Sequence, residues 1–202
     1  MKPPQVPPDR PIRIYVADAD VLYSRSLRDY LLYAMRARLI AVRWSGSILA
    51  EVIEHLMENR SGFTAASGER LVRAMNVAFP NAQVDPGPGD FAALVGLDLP
   101  DGDDRHVIAA ALAAEAECIC THNVGDFPAE AMNTLGLRVV TPDDLLCPLV
   151  QDYPDSMLWV HHQALTFLPG STNVSTIEAL RKAHSPKTAI LIAQALQQRE
   201  KM

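Results

Sequence analysis

The segment IRIYVAD at residues 12–18 constrains this chain most. Beyond Arg13 it is continuously apolar rather than alternating, and such a strand is stable only with both faces covered, as in a parallel sheet. Parallel strands need crossover connections, and helical patterns stand where crossovers are required. After the strand at 12–17 comes a helix with Leu27, Leu31, Leu32, Ala34 and Met35 as its apolar stripe and Arg25, Arg28 and Arg36 on its polar side. Leu39–Trp44 reads as a second strand, and Ser45 or Ser47 can cap a helix over 48–59. A further helix passes through Leu71, Met75 and Ala78 and stops before Phe79-Pro80. Residues 81–102, rich in proline and glycine, read as loop with a short strand at Ala82–Val84.

Asp103 and Asp104 open an Ala-rich helix, where acids are favoured by the positive end of the helix dipole. Ala116–Cys120 is the next strand, Ala129–Leu135 a helix, and Arg138–Thr141 a strand, after which Thr141-Pro142 starts another helix. Strands alternating with helices give an α/β fold with a parallel sheet. Beyond Pro148 only helices are expected: Ser156–Leu168, one opened by a Ser175/Glu178 capping box, and one starting at Ser185-Pro186. The domains are therefore read as a mobile Pro-rich tail at 1–11, an α/β domain at 12–148 and a helical extension at 149–202. The start, MKPPQVPPDRP, carries Pro at five of eleven positions, which opposes both a helix and a signal peptide.

At 202 residues and 49% hydrophobic the chain can bury a substantial core. Its longest apolar run, Val107–Ala114, falls far short of the roughly 20 residues that span a bilayer, so no membrane association is expected. Cys118, Cys120 and Cys147 form no paired framework and lack zinc-ligand spacing, so they read as reduced, mostly buried thiols of a cytoplasmic protein. The net charge of −6 opposes a phosphate-rich partner, yet seven arginines lie between Arg10 and Arg43 against three acids. These arginines read equally as a basic face or as the solvated side of a helix.

The residues that bear chemistry are acids. Asp18 ends the first strand, Glu51 sits in SILAEVIEHL, where a Glu is usually solvated but apolar neighbours allow an inward-facing acid, Asp104 opens a helix, and Asp126 follows a strand in the loop THNVGDF with Thr121 and Asn123. In a parallel sheet, ligands sit at the carboxyl ends of the strands, where Asp18 and this loop both fall. Gathered acids cannot all ionise without a cation, and hard oxygen ligands suit Mg²⁺ or Mn²⁺. Taken singly, helix capping explains Asp18 and Asp20 as well as ligation does, a helix N-terminal role is the usual explanation for Asp103 and Asp104, and His106 reads as a surface or supporting residue.

The stretches ADADVLYSRSLRDYLL, WSGSILAEVIEHL and GDDRHVIAAALAAEAECICTHNVGDFP together resemble the PIN-domain family, and within it ribonuclease toxins of the VapC type. The resemblance implies a PIN-like, Rossmann-like three-layer domain with an all-helical C-terminal extension. It further implies a Mg²⁺ site formed by Asp18, Glu51, Asp104 and Asp126, with Thr121 and Asn123 setting the last loop. The activity implied is endonucleolytic RNA cleavage by metal-activated water, with Arg25 and Arg28 as candidates for flanking phosphates. A cognate antitoxin is the implied partner, and the extension is left open between substrate, antitoxin and a second copy in a homodimer. Asp20 departs from the family, which more often has Asn or Thr there.

Two rival readings remain at this point. A haloacid-dehalogenase-like phosphohydrolase would use Asp18 as nucleophile, but no Lys occurs between Lys2 and Lys182 and Val21-Leu22 replaces the polar turn it needs. A non-catalytic PIN-like RNA-binding module would commonly have lost acids that this chain retains.

Overall fold

The computed structural model describes residues 4, 11–99, 102–166 and 170–201. The expected mobile tail thus lies outside the described residues except for Pro4 and Pro11, as do the last two residues of the helix expected at Ser156–Leu168. In chain order the elements are β1 (Ile14–Ala17), α1 (Ala19–Tyr23), α2 (Arg25–Arg36), β2 (Ala41–Ser45), α3 (Gly46–Asn59), α4 (Ala65–Ala78), β3 (Gln83–Val84) and α5 (Pro88–Ala92). There follow α6 (Arg105–Ala113), β4 (Cys118–Cys120), α7 (Ala129–Thr134), β5 (Arg138–Val140), α8 (Pro142–Asp152), α9 (Pro154–Thr166), α10 (Asn173–Lys182) and α11 (Pro186–Glu200).

The five strands form one parallel sheet in the order β3-β2-β1-β4-β5. Tyr15 lies opposite Val42 on one side and Cys118 on the other. Val16, Ala17, Ile119 and Cys120 are wholly inaccessible, as continuous apolar strands require. Because the strand order reverses between β1 and β4, the crevice beyond their carboxyl ends is the topological switch point of the sheet.

Local chemistry explains most element boundaries. Ser45 rather than Ser47 caps α3, its Oγ accepting the Ile48 amide at 3.2 Å, and Thr141 caps α8 by accepting the Asp144 amide at 3.1 Å. One helix, α5, occupies a stretch expected to be loop. Pro88 suits the first helical position, and the Asp90 carboxylate accepts the Gly87 amide at 2.7 Å. The capping box expected from Ser175 and Glu178 is displaced by three residues. Thr172 accepts the Ser175 amide at 3.1 Å and Ser175 accepts the Thr172 amide at 2.8 Å, while Glu178 meets Arg181 at 3.3 Å instead.

Two compact units emerge. One holds the sheet with α1, α3, α4, α5, α6 and α7, in which α6 packs on β1, β2 and β4, and α1 packs on α3. The other gathers α2 with α8–α11, so α2 groups with the C-terminal helices rather than with the strands that flank it in sequence. The boundary expected at 148/149 falls inside α8, which continues through Pro148. Within this second unit α2 packs against α9 and α10, Tyr33 meets Trp159 edge-on, and Tyr30 hydrogen-bonds the buried His161. Arg28, expected on the solvated side of α2, is buried, because the helix is covered along more than its apolar stripe. Among the described residues no helix is long and apolar enough to cross a membrane, and the three cysteines are free thiols.

Candidate active site

Asp18 is the residue immediately after β1, and its amide still pairs with the Cys120 carbonyl of β4 at 3.0 Å. Its carbonyl accepts the Leu22 amide, so Asp18 also begins α1. The side chain accepts the Ala19 amide at 2.7 Å through Oδ1 and the Thr121 hydroxyl at 2.8 Å through Oδ2. Thr121 is the first residue after β4 and has no exposed surface. One hydroxyl thus links the two strands of the switch point at the edge where ligands bind.

Asp20 belongs to the same cluster. Its Oδ2 accepts the His122 amide at 2.9 Å and faces the Thr121 hydroxyl at 3.3 Å. A hydroxyl carries one proton, so Thr121 cannot serve both carboxylates at once, and Asp18 holds the shorter contact. Burial, followed by the neighbouring Asp18 charge, pushes the Asp20 pKa up to about 6. Asp18 is raised too, chiefly by burial and further by Glu51, against the lowering effect of Thr121 and Ala19.

Glu51 lies in the first half of α3, which leaves the carboxyl end of β2 directly. Of the two readings open for it, a solvated helix acid or an inward-facing one needing a cation, the side chain fits neither fully: it is 38% exposed and pairs with His106, whose Nε2 stands 3.4 Å from Oε1. His106 Nδ1 meets the Asp103 carbonyl at 2.6 Å. The Glu51 contact is the leading cause of a raised His106 pKa, and both residues act electrostatically on Asp18. Nothing in the sequence marks this pair, since 55 residues of chain separate two side chains that only the packing of α3 and α6 brings together.

Asp104 occupies the N-cap position of α6, yet its carboxylate does not close on the helix amides. α6 packs on the sheet and feeds β4, and His106 in its first turn is within electrostatic reach of Asp18. Asp126 ends a 3₁₀ turn, Val124–Asp126, in the loop after β4. That loop is pinned from within: the Asn123 amide donates to Thr121 Oγ1 at 3.1 Å and the Asp126 amide to the Asn123 carbonyl at 3.0 Å. As placed, no three His, Cys, Asp or Glu side chains among the described residues stand close enough to hold a metal ion by themselves. The donor set is nonetheless all oxygen, of the hardness that Mg²⁺ and Mn²⁺ prefer. Of the two arginines expected to hold phosphates, Arg25 is exposed and 3.7 Å from Asp29, whereas Arg28 is buried.

A stretch of 53 residues is 38% identical to the "Putative ribonuclease VapC50" of Mycobacterium tuberculosis (strain ATCC 25618 / H37Rv), covering 26% of this chain and 31% of that protein. The match therefore spans under a third of the relative's length. No solved structure matches. A family model described as PIN domain matches residues 15–125, which run from β1 to the Asp126 loop and include Asp18, Glu51, Asp104, Thr121 and Asn123. With more than half of its length accounted for in this way, the chain belongs to the PIN domain family.

Proposed function

We propose that this protein is a divalent-metal-dependent endoribonuclease, the toxin of a type II toxin–antitoxin pair, acting on RNA in the cytoplasm. The observation that carries the reading is the meeting of Asp18, Asp20 and Thr121 at the switch point of a PIN-family sheet, with Glu51 and His106 in electrostatic reach. Membership of that family removes the haloacid-dehalogenase alternative, and the 38% identity to a protein named as a ribonuclease supports the choice of RNA.

In this reading Asp18, Asp104 and Asp126 would hold Mg²⁺ or Mn²⁺, with Glu51 joining directly or through water. A cation held there would supply an activated water and neutralise charge on the scissile phosphate. Thr121 holds Asp18 in place and, through Asn123, shapes the loop that presents Asp126. Arg25 is the better candidate for a flanking phosphate, because burial leaves Arg28 little surface to offer. The antitoxin would cover the acidic crevice, and a homodimer built through the helical unit is an outcome that sedimentation of the purified chain decides.

The test is cleavage of a structured RNA with Mg²⁺, Mn²⁺ or EDTA, by the parent and by Asp18→Asn and Asp104→Asn. Metal-dependent internal cuts that both variants lose are expected. Metal-dependent RNA binding without cleavage would instead leave a non-catalytic PIN-like module, and cleavage by either variant at the parental rate would remove that residue from the site.

A further inference from the structure

Asp20 stands in the cluster that carries the nuclease reading, yet that reading gives it no task in holding metal or RNA. Its two oxygens have distinct surroundings: Oδ2 receives the His122 amide at 2.9 Å and faces the Thr121 hydroxyl at 3.3 Å, while Oδ1 is sealed from solvent. Oδ1 is closed off from solvent, and Oδ2 is engaged by the loop after β4. The engaged oxygen is the start of a chain of hydrogen bonds. His122 and Thr121 anchor the loop to Asp20, the Asn123 amide donates to Thr121, and the Asp126 amide donates to the Asn123 carbonyl.

We infer that Asp20 is a positioning residue: from α1 it braces the loop after β4, and through that loop it fixes where Asp126 stands relative to Asp18. The inference rests on the nuclease reading for its consequence, the affinity for metal, but not for the brace itself. Three residues separate His122 from Asp126, so releasing the first amide frees the segment that must deliver the last carboxylate. An Asn side chain keeps an oxygen acceptor for the His122 amide while losing the charge; an Ala side chain loses both. The two substitutions therefore separate a brace from a ligand.

The experiment compares the parent, Asp20→Asn and Asp20→Ala in two ways: exchange of the His122 amide with solvent, read by NMR on the metal-free protein, and Mn²⁺ affinity, read by calorimetry without RNA. In Asp20→Ala the His122 amide should exchange at least about tenfold faster, and Mn²⁺ should bind about 10- to 100-fold more weakly, the range found when groups that orient metal ligands are removed. Asp20→Asn should stay within about threefold of the parent in both. Unchanged exchange in Asp20→Ala overturns the brace. Equal loss of Mn²⁺ affinity in both variants overturns it as well, since charge and not acceptance would then be what matters. A parent that takes up no Mn²⁺ strikes the nuclease reading, and the His122 exchange rates still decide the brace.

Discussion

Asp18 and Asp143 are equally buried, each 6% exposed, and live in opposite circumstances. Asp143, on α8, reaches the start of α11, where Ser185 supplies no side-chain cap. It accepts the Thr188 amide at 2.8 Å, the Thr188 hydroxyl at 2.7 Å and the Lys187 amide at 3.0 Å. Burial alone would raise its pKa, but the Thr188 donors and the Lys187 amide overcome that and hold it below the ordinary value. Asp18 has two donors, one of which also faces Asp20, and is raised. A buried carboxylate with a full set of amide donors at a helix start is a fastener. A buried carboxylate pressed against another acid costs stability in the free protein, and that cost is recovered only when a cation arrives.

The sharpest way to break this contrast is mutation. Asp143→Ala should destabilise by about 3 kcal/mol, from three lost charge-assisted hydrogen bonds, with the Lys187 and Thr188 amides left without their acceptor. In a chain of this size that lowers Tm by roughly 10 °C. Asp18→Asn should leave the metal-free Tm unchanged or raise it. Thermal melts of both variants without metal decide the matter, and similar losses would show Asp18 to be a fastener too. Next in size comes metal. At a concentration about a hundred times Kd, Mg²⁺ or Mn²⁺ should stabilise the parent by about 2.7 kcal/mol. The gain should survive in Asp143→Ala and vanish in Asp18→Asn.

Asp20, the acid beside Asp18, and Asp143 also predict opposite responses to pH. Asp20 rises from 3.8 unfolded to about 6 folded, so the folded state binds the extra proton between these values. Stability of the metal-free protein should therefore fall as pH rises from about 4 to 6, by on the order of 2 kcal/mol. Asp143 is lowered, so its contribution is complete above 3.8 and is lost as pH falls through the folded value. Denaturation curves from pH 3 to 7 should show Asp20→Asn flattening the upper slope and Asp143→Ala the acid limb. A variant that flattens the other limb would reverse the assignment.

How much of this was legible beforehand follows from the range of each interaction. The parallel sheet was written in the continuous apolar runs at β1 and β4, and the caps at Ser45 and Thr141 in residues three positions from the amides they accept. The placing of Asp18 and Thr121 at one edge followed from strand ends alone. What sequence could not give was contact between distant segments: α2 grouping with the C-terminal helices, Arg28 becoming buried, His106 answering Glu51, and Asp143 capping a helix that starts 43 residues later. Apolar period reports which face of a helix is covered but not by what, so polar residues committed to such contacts look solvated. The misplaced capping box at Ser175 is a local error of another kind, because Thr172 offers the same chemistry one turn earlier.

The Glu51–His106 pair falls between the two carboxylates of the comparison, and its effect is the smallest. Glu51 already has a positive partner, but at 38% exposure the pair is screened and is worth about 0.5 kcal/mol. The His106 pKa is raised above 6.5, with Glu51 as the leading cause, so the contribution is complete below 6.5 and is lost as pH rises through the folded value. His106→Gln should thus cost about 0.5 kcal/mol at pH 6 and nothing measurable at pH 9. Metal sharpens the test. If Glu51 turns to a bound cation, His106 loses its partner and gains a positive neighbour, and both changes drive its pKa down. An NMR titration of His106 should therefore shift to lower pH when Mg²⁺ is added. A titration that Mg²⁺ leaves in place would set Glu51 outside the metal site and align it with Asp143, as an acid whose partner is already within the fold.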